Sequence, residues 1–149
     1  MLRISATNQL IVAACLSFFA ALMHIAIIFG GAEWYRFFGA GEGMAQLAEA
    51  GDHKATFITL AIAAVLAVWG LFALSGAGVI FKLPLLKLAL ILISLVYLVR
   101  GLAGFVLPFV SHHPAIAANS VTFWLVSSAV CMLFGLFYLF GTINNWQQL

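Results

Sequence analysis

The sequence predicts an all-α integral membrane protein: a four-helix bundle, up-down-up-down, with an outer loop containing a short interfacial helix. Two observations carry this. Of 149 residues, 66% are hydrophobic and only 7% charged, whereas a soluble domain carries roughly 25% charged residues. Four apolar runs also reach the roughly 20 residues that a helix needs to cross hydrocarbon with all its backbone polar groups satisfied. Six Lys and Arg against four Asp and Glu cannot coat a globular surface, which excludes a soluble enzyme and a disordered chain. No basic stripe with interleaved aromatics is present, so nucleic acid is excluded as a partner. Alternation with a period of two is absent, which excludes a transmembrane barrel.

The spans are expected at about 10–30, 56–80, 84–109 and 120–141, and residues 1–149 read as a single transmembrane domain. The first, Leu10 to Phe29, follows Arg3 and is longer than the apolar region of a signal peptide, about 7–15 residues, so it reads as a true span. Its one ionisable residue is His24. The second and fourth spans carry no charge; the third has Lys87 at its start and Arg100 further in. All four are apolar all round, as helices facing lipid and one another should be.

Lys and Arg near span ends set orientation. Arg3, Lys82 and Lys87 lie on one side. Arg36 and Lys54 lie on the other with Glu33, Glu42, Glu49 and Asp52. The purely basic side is expected in the cytoplasm, with both termini. Pro84, in the tight Phe81-Lys-Leu-Pro turn, suits the first position of the third helix, where its missing N–H costs nothing. Residues 111–120 form a short outer connection. The larger outer loop, about residues 30–55, contains Trp34-Tyr-Arg-Phe-Phe38, whose aromatic bodies and polar tips suit an interfacial anchor. A Gly-rich joint, Gly39 to Gly43, then leads into a short helix over Met44–Ala50, ended by Gly51.

Internal similarity suggests a duplication. Trp69-Gly-Leu-Phe-Ala-Leu-Ser-Gly76 aligns with Phe134-Gly-Leu-Phe-Tyr-Leu-Phe-Gly141, and span one overlays span three with His24 on Arg100. Such a pattern is that of a parallel repeat about an axis along the membrane normal.

His24 and Arg100 are the candidate site residues. Each lies about one helical turn outward from the middle of its span. A charged Arg inside a span costs at least about 2.5 kcal/mol on insertion scales and ordinarily faces the bundle interior with a partner. Glu33 and Glu42 are the nearest anions in sequence, with Glu33 preferred. Two readings of Arg100 stand side by side. It snorkels or pairs with a loop carboxylate, or it forms with His24 a ligand site for an anion or headgroup at the outer mouth. For His24, the structural alternative is a neutral imidazole bonded to a backbone carbonyl or a hydroxyl. His53, His112 and His113 are the remaining metal candidates, but no HxxxH, CxxC or HxxEH spacing joins them, so no metal and no cofactor is expected. Cys15 and Cys131 read as small apolar fillers without a predicted disulfide. No nucleophile elbow surrounds any serine. Small residues at Ala63, Ala67, Gly101, Gly104, Gly135 and Gly141 permit close helix packing, within the chain or between copies.

From Trp34-Tyr-Arg-Phe-Phe-Gly-Ala-Gly-Glu42 through the second span to Lys-Leu-Pro-Leu-Leu-Lys87, the chain resembles a group of uncharacterised small four-span membrane proteins of proteobacteria. The resemblance implies a bacterial inner membrane and no activity. The expected function is non-enzymatic: binding of a partner, lipid or small molecule at the outer mouth, in the lipid bilayer, with a homo-oligomer or a membrane partner protein in view. The alternatives are a transporter subunit for a small anion or amphiphile, using Arg100 and His24, and a cofactor-carrying membrane oxidoreductase subunit, using His24 with His112 or His113.

Overall fold

The computed structural model describes residues 6–149; Arg3, assigned above to the basic side, lies outside the described residues. The elements in order are α1 (Ala6–Phe37), α2 (Glu42–Glu49), α3 (His53–Gly76), α4 (Leu86–Val110), α5 (Pro114–Ala117) and α6 (Val121–Asn144). The four long helices pack antiparallel, and each is long and apolar enough to cross a membrane. The chain is a four-span membrane protein. Large apolar side chains such as Phe29, Phe109 and Val126 are exposed around the bundle, where lipid is their solvent.

Around the bundle α1 packs chiefly on α3 and α4 chiefly on α6; α1 also meets α6, whereas α3 and α4 touch least of these neighbours. The molecule is thus two helical hairpins, each with a short helix in its connection, α2 in one and α5 in the other. Both connections lie at one end, here termed the loop end. The carboxy terminus and the α3–α4 turn lie at the other, the terminal end.

Local chemistry sets the boundaries. Asp52 caps α3 by accepting from the Lys54 N–H (2.9 Å), and Ser120 caps α6 by accepting from the Phe123 N–H (3.1 Å), each satisfying an amide that the first helical turn leaves unpaired. The short helix of the large loop is present, beginning at Glu42 rather than Met44, and Gly51 follows it as expected. Two further local expectations are corrected. The first helix does not stop near residue 30: Gly31 takes a left-handed φ of 67° and kinks the chain, and helix resumes as far as Phe37. Gly39 then ends it, with φ 73° and bonds from Gly39 N–H to Arg36 O (3.1 Å) and Ala40 N–H to Tyr35 O (2.9 Å), a Schellman closure that glycine enters without a Cβ clash. At the other turn Pro84 does not open the helix: Leu85 adopts φ 54° before Leu86 starts α4, and the turn is held instead by Ser75 Oγ, which donates to Phe81 O and accepts from the Leu83 N–H.

The core follows from close approach. Gly101 and Gly135 seat Met132 and Leu98 across the α4–α6 seam, where an added methyl group would collide with those side chains, and Gly70 seats Phe18 of α1. In the middle of the bundle Tyr97 meets Trp69, Phe134 and Tyr138, with ring centroids 5.1, 5.3 and 5.8 Å apart. Ser17 of α1 hydrogen-bonds Tyr138 Oη at 2.7 Å, and both residues are fully buried. This aromatic cluster closes the bundle below the loop end.

Candidate functional site at the loop end of the bundle

Above that floor lies a cavity of about 830 Å3, walled by α1, α3, α4 and α6 and roofed by the segment from Phe38 to Met44. Its size falls within the range of small-molecule sites, about 300–1,000 Å3. Arg100 and His24 both line it, so the two positions superposed in the internal alignment share one space. α4 contributes only Arg100. α6 contributes Phe123, Trp124, Ser127 and Cys131, and α3 contributes Ile58, Thr59 and Ile62.

Arg100 is half-buried and poorly satisfied. Nη2 donates to Ser127 Oγ across a long 3.4 Å, and the guanidinium carbon lies 4.8 Å from the centre of the Trp124 ring, a cation–π contact. Nη1 is buried without a hydrogen-bond partner, as is the hydroxyl of the fully buried Ser128. These two atoms converge over Gly104, where a Cβ would strike both. The absence of a side chain at Gly104 therefore lets the guanidinium lie flat in the α4–α6 seam.

His24 Nδ1 bonds Ala20 O one turn back in α1, at 2.8 Å. A carbonyl can only accept, so Nδ1 carries the proton and Nε2 remains as the second hydrogen-bonding nitrogen. The backbone-bonded imidazole anticipated as the structural alternative is present, on the wall of the cavity.

The loop carboxylates take a different partner from the one expected. Glu33 is exposed, lies outside the cavity wall and, among the described residues, pairs with no cation. Glu42 lines the cavity roof but is held by Arg36, whose Nε and Nη2 donate to its two oxygens at 2.8 and 2.7 Å. The third arm of Arg36, Nη1, donates to Glu49 Oε1 at 2.8 Å. One guanidinium thus clasps both ends of α2. Its fork geometry matches a carboxylate, which Lys cannot reproduce. Hydrogen bonding to Arg36 holds the Glu42 carboxyl below its ordinary value, and the Lys54 N–H does the same for Asp52 at the α3 cap. Glu33 follows span one closely in sequence, which makes it the expected partner of Arg100. The Gly31 kink and the helical turn after it place it outside the cavity.

Tyr35 is the residue that sequence reasoning missed. Grouped with the interfacial aromatics, it is instead buried, and its hydroxyl lies 2.9 Å from Thr59 Oγ1 and 3.3 Å from Ala55 O. It pins the end of α1 to α3 beneath α2, against Ile27, Ala45 and Ala55. Trp34, Phe37 and Phe38 remain exposed, as a headgroup-level belt should be. A signal existed in Thr59, a hydroxyl one turn beyond Ala55 in the following span. On the opposite wall Trp124 Nε1 donates to Ile116 O at 3.0 Å, tying α5 to α6.

His53, His112 and His113 are exposed at the loop end, and among the described residues no three His, Cys, Asp or Glu side chains are grouped to hold a metal ion. Cys15 and Cys131 are both free thiols; Cys15 is exposed on α1, whereas Cys131 lines the cavity beneath Arg100. At the terminal end the cations among the described residues are Lys82, which donates to Gln148 O at 2.6 Å, and Lys87, which lies 4.8 Å from the Trp146 ring centre. No family model matches the chain, and neither does any curated protein or solved structure.

Proposed function

We propose that the protein binds an anionic amphiphile in the loop-end cavity, with Arg100 as the anion anchor and His24 as a hydrogen-bonding neighbour. The observation that carries this reading is the state of Arg100. It is a half-buried guanidinium in a membrane span, with one long hydrogen bond, one ring contact and one buried nitrogen without a partner. Intramembrane arginines ordinarily face a carboxylate or another acceptor. Here the carboxylates of the roof are committed to Arg36. A ligand oxyanion supplies the missing charge, and the aromatic and aliphatic walls suit the apolar body that follows it. Arg3, Lys82 and Lys87 on the terminal side, against Arg36 and Lys54 on the loop side, favour cytoplasmic termini in the bacterial inner membrane read from the sequence. A homo-oligomer or a membrane partner protein stays compatible with this site.

The test is equilibrium binding of palmitate and of hexadecanol to the protein in bilayer discs. Palmitate binds more tightly, and Arg100→Gln lowers its affinity by about tenfold or more, since hydrogen bonds to a charged group contribute about 1.5–3 kcal/mol. Equal binding of the acid and the alcohol, or an Arg100→Gln variant that inserts normally and binds palmitate unchanged, overturns the reading.

A further inference from the structure

We infer that the ligand reaches Arg100 sideways from the bilayer, through a slot between the loop-end halves of α3 and α4, and is therefore a membrane-resident, acyl-chain amphiphile. This rests on the binding reading above and adds the source and route of the ligand.

The slot is written in one stripe of α3. Ile58, Ile62, Val65, Trp69 and Phe72 recur at the spacing of a single helix face. Trp69 and Phe72, the end nearer the tight α3–α4 turn, pack into the bundle, and Trp69 meets Tyr97 of α4 with centroids 5.1 Å apart. Nearer the loop end the same stripe is uncovered: Ile58, Ile62 and Val65 are 47%, 43% and 47% exposed. Ile58 and Ile62 nevertheless line the cavity, so at these two residues the cavity wall is also lipid-facing surface. α4, which would otherwise cover them, is drawn to α6 by the glycine seam and touches α3 far less than it touches α6. Arg100 stands one turn above Tyr97, at about 1.5 Å per residue, at the inner margin of the opening.

The water side is spanned by a tied roof. The roof is latched by Arg36 to Glu42 and Glu49 and anchored below by Tyr35 on Thr59, and Gly39 packs against the Phe123 ring so closely that a methyl group there would overlap it. A slot walled by apolar, lipid-facing side chains admits a molecule already dissolved in the bilayer. The oxyanion is that of a free fatty acid or of an anionic lipid headgroup, and both reach the slot in the same way.

The experiment follows labelling of the protein in bilayer discs after mixing with vesicles carrying a diazirine-bearing palmitate. A diazirine-bearing phosphatidylglycerol is run in parallel to identify the source. Labels are expected on the segments around Ile62 and Ser127. Ile62→Trp fills the slot and slows entry and release together by about tenfold, an added barrier of about 1.4 kcal/mol. Ile62→Ala speeds both. Arg36→Ala, which releases the roof, leaves both rates nearly unchanged, because the lateral route does not cross it. The inference is overturned if Arg36→Ala accelerates entry while both Ile62 variants leave it unchanged, or if water-soluble hexanoate competes as well as palmitate. Absence of labelling at these segments by either probe overturns the binding reading together with the route.

Discussion

Gly104→Ala tests the idea that an empty position builds the Arg100 site. The new methyl group would overlap Ser128 Oγ and Arg100 Nη1, with Ser128 Cβ at 3.3 Å behind them. Overpacking of this kind costs about 1–3 kcal/mol. Against it stands the helix preference of Ala over Gly, about 1 kcal/mol. That gain largely cancels here, because a span unfolded within micelles or bilayer keeps its helix. A net loss of about 1–3 kcal/mol is therefore expected, read as a lowered midpoint in mixed-micelle unfolding, together with weaker palmitate binding as the guanidinium is pushed from the seam. Ser128→Ala added to Gly104→Ala removes the hydroxyl at the point of collision and recovers most of the stability. A Gly104→Ala variant as stable as the parent, binding palmitate unchanged, would falsify the account of the seam.

Other consequences are local. Tyr35→Phe loses the hydrogen bond to Thr59, costing about 0.5–1.5 kcal/mol and raising hydrogen exchange in residues 39–52; unchanged exchange there removes Tyr35 as the anchor of the roof. Ser17→Ala breaks the bond to Tyr138 and costs about 0.6–1.7 kcal/mol, the range of interhelical hydrogen bonds in membranes. The Ser17→Ala/Tyr138→Phe double variant should cost no more than the larger single one, and fully additive losses in a double-mutant cycle would count against one shared bond. For pH, the carboxyls of Glu42 and Asp52 lie below their ordinary values of 4.5 and 3.8. Their contribution to holding the roof is therefore complete above those ordinary values and is lost as pH falls through the lowered ones. Exchange protection of α2 should hold from neutral pH down to the carboxylate range and drop below it. A drop confined to the range where only histidines titrate would contradict the Arg36 latch.

Much of the architecture is a property of the chain alone. Uncharged apolar runs must become helices in lipid, because no other open segment satisfies its own backbone there, and the runs around Leu10, Leu66, Leu90 and Phe134 leave no alternative. The capping residue Asp52 and the stop at Gly51 are likewise local. The site was legible only in part. His24 and Arg100 could be placed on the same side of the membrane, since their depth follows from counting residues along a helix of constant rise.

What counting could not supply was azimuth and pairing. Three carboxylates sit within reach in sequence of two arginines, and nothing in their spacing says which pairs form. The kink at Gly31 and the helical turn beyond it give Glu42 and Glu49 to Arg36, and leave Arg100 to a serine, an indole and the cavity. Tyr35 looked like its interfacial neighbours because its burial depends on Thr59, 24 residues on. Composition and periodicity thus determined that four apolar helices cross a membrane with their polar residues at the two ends. Tertiary packing alone decided which helices separate and which charges meet, because those outcomes depend on where glycine lets two backbones close and where a larger side chain holds them apart.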